Sequence, residues 1–174
     1  PRIGLKALMD AAAKTKELTI KDVVFGIAPR INAAGRIYHA KKAVEILIET
    51  DYENAKYLSD GIEENNKTRR TLDQSITKEA LEMIDVNKKS TVVFSENWHK
   101  GVVGIVASRL IENHYKPTIV LAEKEGILTG SARSVHDFDL YEAISKCSHL
   151  CEKFGGHKYA AGLSIKKENL QEFI

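Results

Sequence analysis

The sequence predicts an α/β protein: a helical N-terminal part, one long connecting helix, then an α/β domain with a mixed sheet. Three observations predict it. Apolar residues recur at helical spacing up to about residue 50; a proline-free stretch from Tyr52 to about Val86 keeps that spacing; and from Thr91 short apolar runs alternate with amphipathic ones.

The first part reads as three helices: Leu5 to about Lys14, Ile20 to about Ile27 behind a Thr19 cap, and Ala40 to Glu49 with Ala40, Ala43, Val44, Leu47 and Ile48 on one face. Between the second and third, Pro29 to Arg36 is expected to form a basic loop carrying Arg30, Asn32 and Arg36. In the long stretch, aligned positions recur at 55, 58, 62, 65, 69, 72, 76, 80 and 83, which predicts a single helix spanning on the order of 50 Å. Such a helix reads as a connector between lobes. Asn65 and Arg69 interrupt its aligned face, beside Asn66, Lys67 and Arg70. That interruption suits either a solvated stretch of bridging helix or a face turned toward an anionic cleft.

Beyond residue 90, Thr91–Ser95 (strand), Val102–Tyr115 (helix) and Thr118–Ala122 (strand) form a βαβ unit with parallel, buried strands. A Glu125-Gly126 turn leads to an added hairpin strand, Ile127–Ala132. A helix from Leu140 to Glu152 follows, capped by Asp139 with Glu142 three residues on, then a Gly-Gly-His loop and a last strand, Ala161–Ile165. Cys147 and Cys151 fall in the apolar stripe of that helix and read as core residues, with neither a disulfide nor a zinc site implied.

Composition narrows the class. With 174 residues, 43% apolar and 29% charged, the chain can bury a core, and its net charge of +2 argues against a heavily basic nucleic-acid coat. No run approaches the roughly 18 apolar residues of a membrane span and no signal peptide is visible, so a cytoplasmic protein without a membrane partner is expected. The non-Met start and the helix just beginning at Glu168–Ile174 suggest part of something longer.

Four stretches set glycine beside Arg, His, Asn or Ser: Pro29–Arg36, Trp98–Gly101, Gly130–Ser134 and Phe154–His157. Glycine lets backbone approach a ligand, and guanidinium, imidazole, hydroxyl and amide groups donate to phosphate oxygens. Trp98–Gly104 is a strand-to-helix turn, where ligands and anions gather. Strand alternation puts Ser131 and Arg133 on one side. Two glycines before His157 suggest close backbone approach, with a histidine able to donate to a phosphate.

In order and spacing, residues 29 to 36, 98 to 109, 130 to 134 and 154 to 162 resemble the signature blocks of the RecJ family, single-strand-specific 5′-to-3′ DNA exonucleases of the DHH phosphoesterase superfamily. The resemblance covers essentially the whole chain. Gly155-Gly156-His157 with the strand-helix lobe before it is similar to the DHHA1 domain of many DHH proteins, whereas 29–36 and 98–109 resemble RecJ in particular.

The resemblance implies a two-lobe, metal-dependent exodeoxyribonuclease of DNA repair and recombination, whose DHH lobe holds two Mn²⁺ or Mg²⁺ ions and whose DHHA1 lobe closes over single-stranded DNA. It assigns 1–51 to the last helices of the DHH lobe, 52–87 to the connector and 88–174 to a DHHA1 domain truncated at its C-terminal end. No Asp-His-His occurs, so this part is expected to bind no metal itself and to be inactive alone. By the same resemblance, Arg30, Asn32 and Arg36 would face the nucleotide and His157 would touch the reacting phosphate. His99, Arg109, Ser131, Arg133 and Ser134 would hold neighbouring phosphates, over backbone opened by Gly155 and Gly156. Two other readings are a DHH phosphodiesterase for nucleotides or short oligonucleotides, and a non-catalytic DHHA1 nucleic-acid-binding module.

Overall fold

The structure, a computed structural model, describes residues 2–13, 18–37 and 39–174. Two compact units emerge, Pro1–Thr71 and Leu72–Ile174, with the division inside one helix.

In the first unit, α1 (Ile3–Ala11), α2 (Ile20–Asp22), α3 (Ala28–Ile37) and α4 (Lys41–Ile48) gather with the start of α5 (Tyr52–Glu82). The end of the first predicted helix, at Lys14, lies outside the described residues. Leu8, Ile27, Ala34, Ala43, Ile46 and Ile62 form its core. Thr19 caps α2 through a reciprocal box with Asp22. The tyrosyl hydroxyl of Tyr52 donates to Asp10 at 2.7 Å, and that bond leads the causes that raise the Tyr52 pKa.

Two expectations fail in this unit. The Pro29–Arg36 stretch is not a loop: α2 runs through a π-helical segment, Val23–Ile27, straight into α3. Proline has no N–H and its ring collides with the carbonyl four residues back. A π turn widens the backbone there, with the Ala28 N–H reaching the Val23 carbonyl, so the helix passes Pro29 without ending. The face of α4 is also rotated, since Ile46 is buried while Val44 and Ile48 are exposed.

Helix α5 is continuous over 31 residues. In its middle Asn65 and Asn66 are buried, against a fully solvated stretch, whereas Lys67 and Arg70 are exposed.

The second unit holds a five-stranded mixed sheet of β1 (Thr91–Ser95), β2 (Thr118–Lys124), β3 (Ile127–Arg133), β4 (Cys151–His157) and β5 (Ala160–Lys166), in the order β1-β2-β3-β5-β4. Strands β1 and β2 are parallel and joined through α6 (Val103–Asn113); every other pairing is antiparallel. The β2–β3 hairpin turns at Glu125 and Gly126, both with positive φ. The predicted helix from Leu140 to Glu152 stops early: α7 is Leu140–Lys146, a 3₁₀ turn covers Ser148–Leu150, and Cys151 already begins β4. The Gly-Gly-His segment is therefore edge strand and not loop. Cys147 and Cys151 are only partly buried, Cys151 against the core and with its pKa raised chiefly by burial. A short helix, α8 (Leu170–Phe173), follows β5.

Alternation gives the sheet two unlike faces. Ile119, Leu121, Leu128, Ala132, Ala161, Leu163 and Ile165 meet Leu140, Ile144 and Leu170 on one. The other receives α6 over β2 and β3. Gly130 lets β3 approach β2, since a Cβ there would lie 1.9 Å from the Val120 carbonyl oxygen. Among the described residues no helix is long and apolar enough to cross a membrane. Replacing Gly130 by Ala should cost about 1–3 kcal/mol through overpacking; denaturant unfolding with an unchanged midpoint would contradict this contact.

Candidate nucleic-acid interface

Strand register assembles the site. One row across the sheet reads Thr118, Arg133, Ala160, His157 on β2, β3, β5 and β4; the next reads Val120, Ser131, Gly162, Gly155; the third reads Ala122, Thr129, Ser164, Lys153. Residues paired across strands point to the same side, as do residues two apart along a strand. All three rows therefore face the side that α6 covers in part.

Gly104, in the first turn of α6, fixes which side that is. A Cβ there would meet Arg133 Nη2 at 3.0 Å and Ser131 Oγ at 3.1 Å. The missing side chain is what lets the Arg133 guanidinium and the Ser131 hydroxyl lie against the helix start. No side chain caps that start, so it presents N–H groups and the positive end of an 11-residue helix beside Arg133. Arg133 also donates from Nη1 to the Ala132 carbonyl at 2.8 Å.

Beside this cluster the sheet is bare. Gly155 and Gly162 are exposed cross-strand partners; a Cβ on Gly155 meets nothing within 4 Å, and one on Gly162 meets only the Gly130 carbonyl oxygen at 3.7 Å. Neither needs to be glycine for the fold. Gly156 does, because its φ is +150° and a Cβ would lie 2.5 Å from Ala161 Cα. Glycine inside a strand weakens it and marks close approach by another group. The hollow above the pair has a volume of about 310 Å³ and is bordered by Thr129, Lys153 and Ser164. Thr129 and Ser164 share a 2.9 Å hydroxyl contact across the strands.

The predicted residues separate into groups. Ser131, Arg133, Gly155 and His157 share this face. His157 is exposed at the end of β4, where Nδ1 accepts from the Tyr159 N–H at 3.4 Å, leaving Nε2 turned away from that bond. Ser134 stands apart: its hydroxyl donates to the Phe138 carbonyl at 2.8 Å and its N–H to the Tyr159 carbonyl. His99 accepts at Nδ1 from the Gly101 N–H at 3.1 Å and borders a groove of about 590 Å³ with Trp98, Lys100, Lys124, Thr129 and Lys153. Arg109 forms a fork on buried Asp73 at 2.8 and 2.9 Å, and this bond, countered by desolvation, raises its pKa. In the first unit, Arg30 donates to Glu63 at 2.5 Å and to the Gly26 carbonyl at 2.7 Å, so it braces α3 against α5. Asn32 and Arg36, four apart on α3, are both exposed.

Sequence reasoning did not single out Lys153, Asp73 or Glu79, and it read Gly162 only as one of three small residues suited to tight backbone packing. Glu79 accepts from Trp98 Nε1 at 2.9 Å and, with Asp73, ties α6 and its leading turn to the end of α5. The usable signal was register: once β4 and β5 pair, Gly162 falls opposite Gly155. Among the described residues no group of three or more His, Cys, Asp or Glu could hold a metal ion.

This is a mixed-sheet domain with an anion-suited face, and comparison with known proteins gives its class. Residues 87–174 match the DHHA1 domain, and the chain belongs to that family. It is similar to the single-stranded-DNA-specific exonuclease RecJ of Bacillus subtilis, 40% identical over 98% of this chain and 22% of the relative. The RecJ of Haemophilus influenzae is 37% identical over 99% of this chain and 32% of its own length. The crystal structure of RecJ in complex with Mn²⁺ from Thermus thermophilus superposes with a TM-score of 0.89 at 33% identity, over 98% of this chain and 26% of that one. The chain thus spans between 22 and 32% of the curated relatives just described.

Arg109→Ala should lower stability by about 1.5–3 kcal/mol, the worth of hydrogen bonds to a charged group. Thermal or denaturant unfolding would measure it, and a loss below about 0.5 kcal/mol would remove the Asp73 fork from the supports of α6.

Proposed function

We propose that this chain is part of a RecJ-type 5′-to-3′ exonuclease acting on single-stranded DNA in cytoplasmic DNA repair and recombination. It would supply contacts to the strand's phosphates, not metal ligands. Residues 1–51 would be the helical end of a DHH lobe, 52–87 the connector and 88–174 the DHHA1 domain. The Mn²⁺ or Mg²⁺ of the full enzyme would be held by other residues, since the described ones offer no ligand cluster.

The exposed Gly155–Gly162 pair carries this reading. It opens the sheet where the fold needs no opening, beside Ser131, Arg133, His157 and the uncapped start of α6. Arg133 would give a phosphate charge-assisted hydrogen bonds, Ser131 a neutral one and His157 a donor at Nε2. Gly155 and Gly162 would let the sugar-phosphate chain lie on main chain. Arg109 and Arg30 would act through the elements they brace, and Asn32 and Arg36 would reach the nucleotide from the exposed side of α3.

Binding of a labelled oligothymidylate, followed by anisotropy, tests the reading. Log affinity should fall with log salt at about −0.7 per phosphate contact, and a flat response would count against the site. Gly162→Val should leave stability within about 1 kcal/mol, valine being a better strand residue, yet weaken binding at least tenfold, roughly one lost charged contact. Unchanged binding would show that the bare pair does not meet the strand. With Mn²⁺ the chain alone should not hydrolyse single-stranded DNA; hydrolysis abolished by Arg133→Ala would overturn the division of labour.

A further inference from the structure

Resting on that reading, we infer that Lys153 holds a second phosphate of the same strand, two nucleotides from the one held by Arg133 and His157, so that the DNA runs along β4 instead of crossing it. Lys153 and His157 lie on one strand and one face, four residues apart, which is roughly 13 Å. The open position of Gly155 lies between them. Each two-residue step of about 6.7 Å is close to the separation of adjacent phosphates in an unstacked strand, so the two basic side chains address phosphates two steps apart.

A β-bulge sets the charge at this position. Cys151 pairs with Ile165 and Lys153 with Ser164, so Glu152 has no partner of its own on β5. Without that extra residue Glu152 would stand opposite Ser164 and turn a carboxylate onto the trough. With it, Lys153 takes the place and Glu152 pairs with Lys166. Lys124, Lys146, Lys166 and Lys167 all sit within ion-pair distance of a glutamate, whereas Lys153 has no such carboxylate among the described residues. Thr129 and Lys153 also line the groove bordered by His99, Lys100 and Lys124. Its glutamates are Glu96 and Glu123, and Lys167 holds Glu123 at 2.6 Å.

The experiment compares 5′-phosphorylated oligothymidylates of two and five nucleotides, the shorter lacking the third phosphate, binding to the whole chain and to Lys153→Gln and Arg133→Ala. Lys153→Gln should weaken the five-nucleotide ligand roughly tenfold and make its salt slope shallower by about 0.7, leaving the dinucleotide unchanged. Arg133→Ala should weaken both. If Lys153→Gln changes neither ligand, or both equally, while Arg133→Ala still acts, the second phosphate position is wrong and the first stands. If Arg133→Ala changes neither, or the unaltered chain binds neither, the underlying reading fails and this inference with it. Lys153 is exposed, so matched melting curves should confirm that folding is untouched.

Discussion

The site in the second unit depends on the register between β3, β5 and β4. Strand side chains alternate, so a slip of one residue in either antiparallel pairing would exchange the two faces. Leu163, Ile165 and Phe154 would then turn toward α6, and Gly162, Ser164 and Lys153 toward the apolar core. Core burial on the α7 side thus holds the polar rows in place opposite. The apolar residues specify the site without touching it.

The helix face adds a second layer of the same kind. Val103, Val106, Ala107 and Leu110 are buried, and α6 lies over β2 and β3. Asp73 and Glu79 fix it from the other side through Arg109 and Trp98. What this bracing presents is a helix start with free N–H groups, set closely against the Arg133 guanidinium where Gly104 carries no side chain. Charge and shape at the interface follow from packing several residues away.

Much of this was legible in the sequence because period and punctuation are local. The βαβ unit, the Glu125-Gly126 hairpin and the 31-residue helix followed from apolar spacing and turn chemistry. The pairing of Ser131 with Arg133 followed from strand alternation. What stayed hidden depends on partners distant in sequence. Phe154–His157 looked like a loop because two glycines weaken any strand signal, and β5 makes it a strand by pairing. The ion-pair partners of Arg30 and Arg109 stayed hidden because nothing nearby in sequence reveals Glu63, 33 residues on, or Asp73, 36 residues back. The inward turn of Ile46 on α4 likewise depends on what α4 packs against.

The π segment before Pro29 amounts to one residue more than an α-helix would need between Asp22 and Ala28. Because the wider turn absorbs that extra residue, the helix on either side of it keeps the phase it would have in an unbroken α-helix. Deleting one residue there would restore ordinary pitch, and the ring of Pro29 would again strike the turn before it, next to the Gly26 carbonyl that receives the Arg30 guanidinium. The length of this stretch is thereby pinned as firmly as its composition: conservative substitutions can be absorbed there, but a change of a single residue in spacing cannot.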